Sequence, residues 1–167
     1  MKLILTEPRS RATVRPAPND RGQVNEMARC LIVDDSKFMR KIISDTLAGG
    51  GHDIVGEVDN GYDALEMYKA QKPDVVTMDI TMPILSGLEG LNRILRIDPE
   101  ARVIMISAMG QKSTVLKALQ SGALGFIVKP FDKIKVVDTV RDVLAFSHKS
   151  TEPPTFPDPA PPSREDA

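Results

Sequence analysis

Short apolar runs alternate with longer amphipathic segments through the middle of the chain. The runs are Arg29–Val33, Ile54–Val58, Val75–Met78, Val103–Ile106 and Gly125–Val128, partly β-branched and short enough to be buried strands. The segments between and after them have helical spacing. In 36–48, Phe38, Ile42, Ile43, Thr46 and Leu47 share one face, and in 61–72 the positions are Ala64, Leu65 and Tyr68. In 88–97 they are Leu88, Leu91, Ile94 and Leu95, with Asp98-Pro99 as a stop. In 112–121 they are Val115, Leu116 and Leu119, with Gly122 placed to end the helix, and in 133–146 they are Ile134, Val137, Val140 and Leu144. Strand and helix alternate five times, the pattern of an α/β doubly wound five-stranded parallel sheet covered by helices on both faces.

The flanks lack such periodicity. Residues 1–28 carry Pro8, Pro16, Pro18 and several Arg, and read as a flexible N-terminal arm. Residues 149–167 are Pro-rich and polar, a tail that cannot bury a core. The ordered domain is therefore 29–148, and Met27-Ala28-Arg29 resembles a natural start of translation. Lys plus Arg (22) nearly balance Asp plus Glu (23), which argues against a nucleic-acid partner. Aromatic residues make up only 4%, so base-stacking platforms are not expected either. One cysteine, Cys30, rules out an internal disulfide and a multi-cysteine metal cage. No apolar run approaches the roughly 20 residues of a membrane span, and the apolar patch after Met1 is too short for a secretory signal. A cytoplasmic protein without membrane insertion is the expectation.

Parallel sheets of this kind bind ligands at the carboxyl ends of their strands. Five units fit the flavodoxin-like order 2-1-3-4-5, which makes strands one, three and four neighbours, with five just beyond. The first strand ends in Asp34-Asp35, the third in Asp79, the fourth in Ser107 and the fifth in Lys129-Pro130. Two like charges about 4 Å apart repel by roughly 4 kcal/mol at an effective dielectric of 20. Against a domain stability of about 5–15 kcal/mol, three converging carboxylates need an offset, either protons or a cation. Oxygen-only ligands with room for water suit Mg²⁺. Asp35 and Asp79 would hold it, with Asp34 partly through water. Asp79 then becomes the candidate nucleophile for an aspartyl phosphate, Lys129 a partner for a phosphoryl oxygen, and Ser107 a hydroxyl within reach. Each of these residues alone is most often a cap or a turn group. Their joint placement at the ends of the right strands carries the reading.

The sequence resembles the receiver domain of two-component response regulators across residues 29–148. The shared features are LIVDDS, DITMPILSG with Asp79, Met82-Pro83 and Gly87, Ser107-Ala108, and FIVKPF with Lys129-Pro130. The phrasing is most similar to the single-domain chemotaxis regulators of the CheY type. That type itself has the 2-1-3-4-5 strand order. The resemblance implies that Asp79 accepts phosphate from a histidine kinase. It implies that Asp34, Asp35, Asp79 and the backbone carbonyl of Thr81 bind Mg²⁺, that Lys129 binds the phosphoryl group, and that Lys129-Pro130 is cis. Ser107 would move toward the phosphate and Phe126 would turn inward behind it. The readout face would be Lys112 to Phe146, meeting a flagellar motor switch or another effector. The protein would be a signalling switch, not an enzyme beyond self-catalysed phosphotransfer. Thr81 and Met109 sit where relatives often carry polar or acidic groups and neither is a good general base, so slow self-hydrolysis and a separate phosphatase are expected.

Two other readings use the same residues. A Mg²⁺-dependent phosphohydrolase with an aspartyl intermediate commonly has a second acid two residues after the nucleophile; Thr81 stands there, which weighs against it. A receiver detached from a DNA-binding or methylesterase module is disfavoured by the Pro-rich stretch that follows the fifth helix. Cys30 reads as a small buried hydrophobe, the methionines as core filler, and His52 and His148 as solvent-exposed.

Overall fold

The computed structural model describes residues 27–146, so most of the arm, the whole tail, and His148 lie outside the described residues. Ala28, assigned above to the arm, belongs to the domain. It is buried, and its carbonyl accepts a hydrogen bond from the Asp53 N–H.

The elements follow the expected alternation: β1 (Arg29–Val33), α1 (Lys37–Gly49), β2 (Asp53–Val58), α2 (Gly61–Gln71), β3 (Val75–Met78), α3 (Gly87–Ile97), β4 (Val103–Ser107), α4 (Lys112–Gln120), β5 (Gly125–Val128) and α5 (Lys133–Ala145). The strands form one parallel sheet in the order β2-β1-β3-β4-β5. The central strands are buried on both faces, as continuous apolar runs require, whereas edge strand β2 is only partly covered.

Period-two alternation divides the core. Leu31, Val33, Val76, Met78, Val103 and Met105 face one side, with Ala64 and Tyr68 of α2, Leu91 and Ile94 of α3, and Ala118 of α4. Cys30, Ile32, Val75, Ile104, Ile106 and Ile127 face the other, with Ile43 and Leu47 of α1 and Val136, Val140 and Val143 of α5. Each fully buried Leu, Ile, Val or Met contributes roughly 1.5–3 kcal/mol relative to exposure, so this double-sided burial dominates the stability of the domain.

Side-chain caps define the helix starts. Ser36, Asn60, Ser86 and Asp132 each accept a backbone N–H from the first turn that follows. Helix α4 has no side-chain cap and buries only Ala118, which makes it the least anchored helix. Gly122, at φ +105°, adopts the left-handed turn expected of a glycine after that helix.

Three expected core positions are surface positions. Phe38 is 74% exposed, Ile134 72% and Leu116 46%. Phe38 and Ile134 occupy the first turns of α1 and α5, which start at the edge of the sheet and have little of it beneath them. Helical spacing locates a face; it does not say how far along the helix the sheet extends. His52 is also not a free surface group. It is half-buried, and its Nδ1 accepts the Ala28 N–H at 3.3 Å.

Candidate functional site

The last ladder hydrogen bonds run one residue beyond the strands and place the polar residues. The Asp34 N–H donates to the Val58 carbonyl, the Asp79 N–H to Val33, and the Lys129 N–H to Ser107. Each of these residues therefore leaves the sheet from a backbone held by the neighbouring strand. Asp79 emerges from central strand β3 directly beside the end of β1, where Asp34 and Asp35 stand.

Asp34, Asp35 and Asp79 each offer a carboxylate oxygen, and these lie within 4.8 Å of one another. Asp34 and Asp79 are buried and Asp35 is exposed. Asp34 is tightly held: one oxygen accepts the Ser36 N–H at 2.9 Å, and the other accepts Lys129 Nζ at 2.7 Å. Lys129 Nζ also lies 3.4 Å from Asp79. Clustered charge of this kind needs a proton or a bound cation to offset it, and the chain supplies part of that offset itself, through a lysine only 15% exposed. Burial pushes the Asp79 carboxyl above its ordinary value. The Lys129 ammonium pulls it down, Asp34 pushes it up again, and hydrogen bonds from Lys129 and the Thr81 N–H oppose the rise without cancelling it.

The rest of the predicted set surrounds this centre. Ser107 ends β4 and is buried, and its hydroxyl oxygen accepts the Met109 N–H at 3.1 Å. Thr81 and Met109 meet at the mouth, where the Thr81 hydroxyl donates to Met109 Sδ at 3.7 Å. Phe126 is half-buried in β5 and packs against the core on the α2–α3–α4 side. The Lys129-Pro130 bond is cis, as the resemblance implied.

Two contributors owe their roles to geometry that the sequence does not display. Arg40 donates to the Asp34 carbonyl at 2.7 Å and lies 3.7 Å from Glu57, tying α1 to β1 and β2. Nothing in helical periodicity singles out an arginine six residues from its partner. Gly87 was visible as part of a motif, but its reason is geometric. A Cβ there would lie 1.8 Å from the Asp79 carbonyl oxygen, so only glycine lets α3 begin against the peptide of Asp79.

The donor set fits a hard divalent cation: three carboxylates, no sulfur and no imidazole, with one acid open to solvent. Comparison with known proteins agrees. Residues 30–141 match the response regulator receiver domain. The chain is 51% identical over 116 residues to the chemotaxis protein CheY of Bacillus subtilis, covering 70% of this chain and 97% of that one. It is 48% identical over 115 residues to CheY of Thermotoga maritima, covering 69% and 96%. Among solved structures, a CheX–CheY–BeF3–Mg complex from Borrelia burgdorferi superposes with a TM-score of 0.69 at 41% identity, covering 71% of this chain and 90% of that one. Receiver domains bind Mg²⁺ in an acidic pocket, work with histidine kinases and effectors, and act as signalling switches rather than as enzymes in the ordinary sense. The chain belongs to the response regulator receiver domain family and is CheY-like within it.

Proposed function

We propose that this protein is a phosphorylation-driven binding switch in a chemotaxis or motility pathway of the cytoplasm, with Asp79 as phosphoacceptor. One observation carries the reading: the Asp79 carboxylate lies within 4.8 Å of Asp34 and Asp35, and Lys129 Nζ lies between Asp34 and Asp79.

The donor is a phosphohistidine. Its P–N bond breaks, an Asp79 Oδ–P bond forms, and the imidazole keeps the electron pair and takes a proton from solvent. Asp34, Asp35, Asp79 and the Thr81 carbonyl would hold Mg²⁺, which supplies charge neutralisation on the phosphoryl oxygens when bound. Lys129 gives up part of its contact with Asp34 to pair with a phosphoryl oxygen. Ser107 leaves its turn with the Met109 N–H and donates to the new dianion. Phe126 follows inward, and the surface from Lys112 to Phe146 changes. That surface includes α4, whose shallow burial lets it shift at little cost. Neither Thr81 nor Met109 is a general base, so self-hydrolysis is slow and a separate phosphatase is expected. The solved CheY relative in complex with CheX, with magnesium, supports both the ion and a separate partner protein.

The test is incubation of the full chain with phosphoramidate and MgCl₂, followed by intact-mass analysis. Wild type gains one phosphoryl group, and Asp79→Asn gains none. An Asp79→Asn variant that is still labelled, or a wild type that is never labelled, overturns the reading.

A further inference from the structure

Nine large hydrophobic residues are substantially exposed in the described part of the chain, and six of them follow the carboxyl ends of the strands or end one: Phe38, Tyr62, Ile84, Met109, Val128 and Ile134. They therefore lie toward the same edge of the sheet as the acidic centre. Ile84 stands out twice. It is 85% exposed, the most exposed of the nine. It also has φ +67°, and the Leu85 N–H donates to the Pro83 carbonyl at 2.8 Å. Those two facts define a γ-turn of the rare positive-φ kind with Ile84 at its apex. A β-branched side chain is disfavoured in that conformation, where Asn or Gly fits better. Burial does not repay the strain, because the side chain is in solvent. The turn sits five residues after Asp79, in the loop that leaves the central strand. In strand order its neighbours are the loops before Phe38 and around Met109.

We infer that Ile84 is a specificity-determining docking residue: it meets an apolar surface around the phosphohistidine of the protein donor and plays no part when the donor is a small molecule. The inference rests on the function proposed above and names the contact by which that site recognises its protein partner. The occupant follows from the placement. Asp79 is buried at the bottom of this edge, so a phosphohistidine can reach it only if its protein covers the surrounding rim. A rim of Phe, Ile, Met and Val side chains is complementary to an apolar protein surface and contributes nothing to a small, hydrated phosphoramide.

The experiment compares Ile84→Asn and Ile84→Leu with wild type, as full chains. Purified histidine kinases of the source organism are autophosphorylated with ATP and offered singly, and the fastest donor to wild type is used throughout. Phosphoramidate is the small donor. Ile84→Asn is expected to lower kcat/KM for transfer from the kinase about tenfold, to leave the phosphoramidate rate within twofold, and to keep or raise Tm because Asn suits the turn. Ile84→Leu retains an apolar contact and is expected to stay within threefold of wild type with the kinase. A merely structural role predicts the opposite pattern, both donors changing together with Tm. Equal kinase transfer by Ile84→Asn and wild type overturns the docking role, as does the absence of transfer from any kinase. If phosphoramidate fails to label wild type, the site assignment itself fails.

Discussion

The two edges of the same sheet follow different rules. At the amino edge, polar groups satisfy one another and close the fold. The Arg29 N–H donates to Asp74 at 2.8 Å, its guanidinium reaches the Gln71 and Lys72 carbonyls at the end of α2, and the Tyr68 hydroxyl donates to Asp98 at 2.6 Å. At the carboxyl edge, three acids cluster and two of them share one lysine, an isoleucine holds a disfavoured turn in solvent, and apolar side chains stand exposed. Both edges belong to one double-sided core, whose burial makes the second arrangement tolerable. Strain and like charge gather where the chemistry is, and mutual satisfaction gathers where it is not.

That contrast can be broken in four ways, in decreasing order of effect. Gly87→Ala puts a methyl group 1.8 Å from the Asp79 carbonyl oxygen, and the neighbour is backbone that cannot swing aside. A loss of about 4 kcal/mol or more is expected, with loss of labelling by phosphoramidate; a wild-type urea midpoint would mean that α3 does not need this close approach. Lys129→Ala leaves the buried Asp34 charge without its 2.7 Å partner and is expected to cost about 3 kcal/mol. Magnesium should restore part of that loss in a thermal melt. A melt indifferent to the lysine would show that the carboxylates do not depend on it.

Tyr68→Phe removes only the bond to Asp98 at the amino edge. Urea unfolding should report a loss of about 1 kcal/mol while the labelling rate of Asp79 stays unchanged, and a coupled change in labelling would erase the division between the edges. His52→Gln is the smallest test. Burial, reinforced by the Arg141 charge, holds the His52 imidazole below its ordinary value of 6.5, so the unfolded chain binds the proton more readily than the folded one. Its contribution to stability is present above pH 6.5 and is lost as pH falls below it. The variant should flatten the melting temperature between pH 7 and pH 5; an unchanged slope would assign that slope to other groups.

Much of the molecule was legible in advance because its signals are local. Apolar runs and helical spacing located all ten elements, with boundaries one residue off at several ends, as at Gly49 against Ala48 and Ser107 against Ile106. Residues at strand ends pointed to the site because a parallel sheet gathers those ends on one edge. The misplaced residues, Phe38, Leu116, Ile134 and His52, share a cause: exposure depends on what lies opposite a side chain, and periodicity carries no information about that.

The sequence by itself determined the alternation of elements, the identity of the acidic and basic residues at the strand ends, and the family to which they belong. Those properties follow from residue type and spacing along one chain. Only the tertiary structure decided that Lys129 is shared between Asp34 and Asp79, that Gly87 is required by the Asp79 peptide, and that Ile84 stands strained in solvent beside the site. Such facts are distances between groups brought together by packing, with Lys129 and Asp34 separated by 95 positions, and no local pattern encodes them.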